Sequence, residues 1–159
     1  MMTSLEKRLT IGEIEARIDA IIATPNAMLM AEAPALAEEM LSMGESILEA
    51  WLDARGETPT DETHEGFRLL ALHRQGARGN PSFNACRETC RELVYHRNLI
   101  LYDPAAADVA HAIRVGAMVV RHLALFIGGK LQADGLGEFC CSSRPIRRAE
   151  TTPNDKETA

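Results

Sequence analysis

The chain has 159 residues, of which 46% are hydrophobic and 25% charged, and a formal net charge of −6. That length suits one domain burying roughly two thirds of its unfolded surface, and the composition excludes a chain disordered throughout. The negative total argues against a general nucleic-acid binder; no apolar run approaches the roughly 20 residues of a membrane span and no signal-peptide pattern opens the chain, so a cytoplasmic protein without membrane association is expected.

Thr10 followed by Glu13 reads as a capping box, and Ile11, Ile14, Ile18, Ile21 and Ile22 recur at helical spacing, which predicts a first helix ending at about Ala23. Thr24-Pro25-Asn26 breaks it, and Pro34 opens a longer helix carrying Leu36, Met40, Met43, Ile47, Leu48 and Trp51 as far as about Ala54. Its Glu38, Glu45, Glu49 and Asp53 are directed to solvent or to arginines further along. Thr58-Pro59-Thr60-Asp61 is a linker and cap, followed by a third helix around Phe67, Leu69, Leu70 and Leu72 that ends before Gly76. Residues 75–79 then form a tight polar loop. Asn80-Pro81 caps a fourth helix running to about Leu101, and Asp103-Pro104 separates it from a fifth with Val109, Ile113, Gly116, Val120, Leu123 and Ile127 at spacings of three and four. Val115, Met118, His122 and Leu125 add a second stripe. Gly128-Gly129 should loosen this helix, and residues from Arg147 onward form a polar, disordered tail. The expected fold is all-α: a single-domain helical bundle of about five helices over residues 1–146, with a long central C-terminal helix and an irregular end.

Charge is unevenly distributed. Residues 1–63 contain 4 basic and 13 acidic side chains, whereas residues 64–100 contain 6 and 3, and all six of those bases are arginine. Arginine's planar fork suits carboxylate and phosphate, although the whole chain favours it, with 14 Arg and 3 Lys. On the fourth helix Asn84, Arg87, Arg91, Tyr95 and Asn98 share a line. Arg78, Asn80 and Ser82 lie at its N-terminus, where free N–H groups and the helix dipole favour an anion, and His73 and Arg74 end the preceding helix. These positions give a candidate site of His73, Arg74, Arg78, Asn80, Ser82, Asn84, Arg87, Arg91 and Tyr95 for a phosphate or carboxylate group, belonging to an anionic small molecule or a protein partner. The competing structural reading pairs Arg87 and Arg91 with Glu38, Glu45 or Glu49. Arg114 and Arg121, on one face of the fifth helix, would complete the site or rim a dimer.

Phe83, Cys86, Cys90, Leu93 and Ile100 form a buried seam on another face of the fourth helix. A second reading takes Cys86, Cys90 and His96, with Cys140 or Cys141, as a zinc site or thiol-redox group; zinc enters only there, and no cofactor is otherwise indicated. Asp61 to His64 and Asp108 to His111 share an Asp-x-x-His spacing, read as helix caps. No nucleophile elbow, P-loop or dinucleotide fingerprint occurs, so the sequence points to a binding or regulatory module rather than a catalyst. The broad apolar surface of the fifth helix and the recurrence of Val109, Gly116 and Leu123 suggest a homodimer, and a partner-docking bundle without a ligand is the third reading.

Overall fold

The capping box at Thr10 forms in both halves: the Thr10 N–H donates to Glu13 Oε1 at 2.9 Å, and the Glu13 N–H donates to Thr10 Oγ1 at 3.1 Å. In the computed structural model, which describes residues 9–78, 86–102 and 108–132, this box starts α1 (Ile11–Ile22), whose Ile14, Ile18 and Ile21 are buried. The later helices are α2 (Asn26–Ala31), α3 (Ala33–Ala54), α4 (Arg68–Ala77), α5 (Arg87–Tyr102) and α6 (Val109–Gln132). The architecture is an all-α bundle with a long C-terminal helix. The expected loop at 75–79 and the start of the fourth helix at Pro81 fall partly on residues 79–85, outside the described residues, as do Phe83, Asp103-Pro104 and the tail.

The short α2 was not expected. Pro25 does end α1, yet its extended backbone also serves as the N-cap of a further turn and a half that buries Leu29. Pro34 occupies the first turn of α3 as expected. The far end of α3 closes with a Schellman motif: Gly56 N–H donates to Asp53 O and Glu57 N–H to Leu52 O, both at 2.9 Å, with Gly56 at φ +79°.

Helix α3 lies at the centre, packing against α4, α5 and α6, while α6 also packs against α1 and α2. Its buried row of Leu36, Met40, Met43, Ile47, Leu48, Trp51 and Leu52 is the spine of the core. Two glycines bring the helices close. A Cβ on Gly44 would stand 2.7 Å from Leu93 Cδ2 of α5 and 3.1 Å from Leu69 Cδ1 of α4. A Cβ on Gly116 would stand 3.0 Å from the Met40 sulfur.

Two helices run further than their glycines suggested. Helix α4 continues through Gly76, which is buried and whose carbonyl accepts from Arg55 Nη1 at 3.1 Å. Helix α6 passes Gly128 and Gly129 because the following turn is anchored: Lys130 is fully buried, its ammonium 5.2 Å from the Trp51 ring centroid and 5.3 Å from that of Phe126. Tertiary burial outweighs the roughly 1 kcal/mol by which glycine disfavours a helix. Residues Val109–Leu131 are, by length and composition, apolar enough to cross a membrane, although no uninterrupted apolar run there is long. Here Ile113, Ala117, Val120, Leu123, Ala124 and Ile127 are buried in the bundle core.

Candidate anion site

The linker after α3 is tied down before it reaches α4. The Gln75 side chain accepts from Thr60 N–H at 2.9 Å and donates to Thr58 O at 2.9 Å. Residues 64–67 then make a tight two-residue turn, in which His64 and Phe67 exchange both backbone hydrogen bonds at 3.0 Å. Glu65 and Gly66 take φ of +56° and +90°, the geometry of a primed hairpin turn. Asp61, expected as the cap of the next helix, is not one: it is 99% exposed, and α4 begins only at Arg68 with Phe67 as N-cap. Asp108 does cap, accepting from the His111 N–H at 3.1 Å.

That turn, with α4 and α5, borders an open cavity of about 530 Å³ lined by His64, Glu65, Leu70, His73, Arg74, Ala77, Arg78, Arg87 and Arg91. Arg74 in the last turn of α4 and Arg78 at its C-cap are four residues apart, as are Arg87 and Arg91 on α5, so two arginine pairs line one space. Thus His73, Arg74, Arg78, Arg87 and Arg91 of the sequence-derived set come together. Asn80, Ser82 and Asn84 lie outside the described residues. Tyr95 is not among the lining residues; its exposed ring stands edge-on to His96, with centroids 5.2 Å apart. A second cavity of about 370 Å³, lined in part by Thr60, Glu62 and Gln75, shares His64, Arg74 and Arg78 with the first.

Sequence reasoning missed the role of His64 and Glu65. Glu65 receives both prongs of the Arg91 fork, Nη1 to Oε1 at 3.0 Å and Nη2 to Oε2 at 2.9 Å. Those hydrogen bonds hold the Glu65 carboxyl below its ordinary value and raise the Arg91 guanidinium above its own. Arg74 Nη1 lies 2.9 Å from His64 Nδ1 and 3.5 Å from His64 Nε2. That nitrogen lies 3.3 Å from Glu65 Oε2. Arg74, His64, Glu65 and Arg91 therefore form one chain of contacts along the cavity wall. The available signal was the Glu65-Gly66 dipeptide, weaker than the Asn-Gly or Asp-Gly that usually marks such a turn.

The acids of α3 meet arginines of the middle segment, as expected, but not the two arginines expected on α5. Glu45 and Glu49 of α3 hold Arg68, and Glu38 holds Arg97, so the acidic side of α3 meets arginines other than Arg87 and Arg91. Burial raises the Glu45 carboxyl above its ordinary value, outweighing the Arg68 charge beside it. Arg17 pairs with Glu39, Arg55 with Glu57, and Arg121 with Asp19. Arg114 donates to Ile22 O, Thr24 O and Asn26 Oδ1, closing the α1–α2 corner. Arg114 and Arg121 thus serve the packing of α6 on α1 and α2, and neither reaches the cavity. Among the described residues, the arginines with no carboxylate or backbone carbonyl in such contact are Arg74, Arg78 and Arg87, and all three line the same cavity.

Cys86 and Cys90 are fully buried in the expected seam with Leu93 and Ile100. Burial pushes the Cys90 thiol up to about 12, whereas zinc binding and thiol exchange need a thiolate. His96 turns its Nδ1 to Glu92 O at 3.0 Å, and among the described residues no three His, Cys, Asp or Glu side chains converge as metal ligands. Cys140 and Cys141 lie outside the described residues. Comparison with protein-family models, curated proteins and solved structures gave no match, so the functional reading rests on this geometry.

Proposed function

We propose that this is a small binding or regulatory protein that takes the anionic group of a small molecule or partner into the cavity between α4 and α5. One observation carries the reading: guanidinium groups elsewhere in the described chain are matched by acids or carbonyls, while Arg74, Arg78 and Arg87 gather around one space with no carboxylate within ion-pair distance of them. Four guanidinium groups facing a single carboxylate leave an excess of positive charge, and like charges brought together destabilise a fold unless something offsets them. An incoming phosphate or carboxylate does so through charge-assisted hydrogen bonds. The free, buried Cys90 thiol suits a reducing compartment, and we place the protein in the cytoplasm.

The test is a thermal-shift screen of phosphates, sulfates and carboxylates on the wild type beside Arg78→Ala/Arg87→Ala, because a ligand preferring the native state raises its apparent stability. An anion-dependent rise in Tm that disappears in the double variant is expected. A rise of equal size in both proteins, or none in either, would refute the site and leave a bundle that docks a partner.

A further inference from the structure

Glu65 is an unexpected component of an anion site, because a carboxylate repels the ligand the arginines attract. Its position is enforced: the turn that carries it is closed by two backbone hydrogen bonds, and the Arg91 fork grips its head. An ionised carboxylate is acceptor-only, with about four lone-pair sites on its two oxygens. The Arg91 fork takes one site on each oxygen, and His64 Nε2 stands 3.3 Å from Oε2, which leaves Oε1 the freer oxygen of a half-exposed side chain at the cavity wall.

We infer that Glu65 makes the site selective for a phosphate group that still carries a proton, and that the ligand is the phosphate monoester of a small organic molecule. The inference rests on the anion-site reading above. An oxyanion drawn in by Arg74, Arg78 and Arg87 beside Glu65 either offers that oxygen a proton or sets two lone pairs against each other. A phosphate monoester, whose second ionisation lies near pH 6, still carries an O–H in about half its molecules there. A sulfate monoester of the same shape and single charge has none to give. The organic part follows from the space: about 530 Å³ is within the range of small-molecule sites, and Leu70 and Ala77 supply apolar wall beside the arginines.

The experiment is calorimetric titration at pH 6 and fixed ionic strength with phenyl phosphate, phenyl sulfate and inorganic phosphate, on the wild type, Glu65→Gln and Arg78→Ala/Arg87→Ala. Wild type should bind phenyl phosphate at least about tenfold more tightly than phenyl sulfate, the consequence of one unmade hydrogen bond to a charged acceptor. In Glu65→Gln, whose amide can turn a donor toward the ligand, the ratio should fall to within about threefold through a gain in sulfate affinity. Equal wild-type affinity for the two esters overturns the selectivity, as does a Glu65→Gln variant that improves both alike, which would make Glu65 a plain counter-charge. Inorganic phosphate binding as tightly as phenyl phosphate overturns the monoester assignment. If the esters bind equally and both are lost in Arg78→Ala/Arg87→Ala, the anion site stands and the role of Glu65 falls; if nothing binds, or the double variant binds as well, the site itself falls. The wild-type comparison needs no variant to fold.

Discussion

Gly44→Ala is a small change whose consequence can be worked from distances. The new methyl carbon would lie 2.7 Å from Leu93 Cδ2 and 3.1 Å from Leu69 Cδ1, against an optimal carbon–carbon separation of about 3.5–4.0 Å. Overpacking of this kind costs about 1–3 kcal/mol, and the gain in helix propensity returns about 1 kcal/mol, so a net loss of about 1 kcal/mol is expected. Leu93→Ala alone should cost about 2–5 kcal/mol. In the double variant the extra methyl has room, so the combined loss should fall short of the sum by at least about 1 kcal/mol. Urea unfolding followed by circular dichroism, with unchanged slopes, measures all three. Additivity within about 0.5 kcal/mol, or a Gly44→Ala variant stabilised by the full helix-propensity gain, would refute the claim that Gly44 sets the approach of α3 to α4 and α5. The site depends on that approach, since α4 and α5 carry its arginines.

In the native protein Cys90 should resist iodoacetamide at pH 8 and react once unfolded, because burial holds its thiol at about 12; peptide mapping that finds rapid native labelling would reopen the thiol reading. Two carboxyls should give opposite pH signatures between pH 3 and 7. Glu65, held below its ordinary value, contributes stability that is present above the unfolded-chain value and lost as pH falls through the folded one, so Glu65→Gln should weaken the acid destabilisation. Glu45, raised by burial, contributes stability present below the unfolded-chain value and lost as pH rises through the folded one, so Glu45→Gln should weaken that opposite trend; urea midpoints against pH read both. The dimer proposal now rests on the exposed Met118 and Leu125, since Gly116 and Leu123 are used inside the bundle. Light scattering at micromolar concentration should give twice the chain mass, and Met118→Glu/Leu125→Glu should halve it.

Periodicity made most of the helices legible, because a stripe such as Ile14, Ile18 and Ile21 or Cys86, Cys90 and Leu93 has one way to be buried. The Thr10 and Asp108 caps were readable for the same local reason. Glycine and proline were less reliable markers: Gly76 is buried within its helix, Gly128 and Gly129 are followed by the buried Lys130, and Pro25 both ends one helix and starts another. The arginine faces of the site were visible as spacing along helices. Their neutralisation was not, since which acid meets which arginine depends on how the helices cross. Glu38 reaches Arg97 across 59 positions of sequence, and Glu65 reaches Arg91 across 26, in each case by a route that no local pattern records.

The most direct test of the anion site is a crystal structure of the protein grown with phenyl phosphate. The phosphate is expected within hydrogen-bond distance of Arg74, Arg78 and Arg87, with one oxygen against Glu65 and the ring along Leu70 and Ala77. An empty cavity beside a phosphate bound elsewhere, or Arg78 and Arg87 turned away to acidic partners, would contradict it.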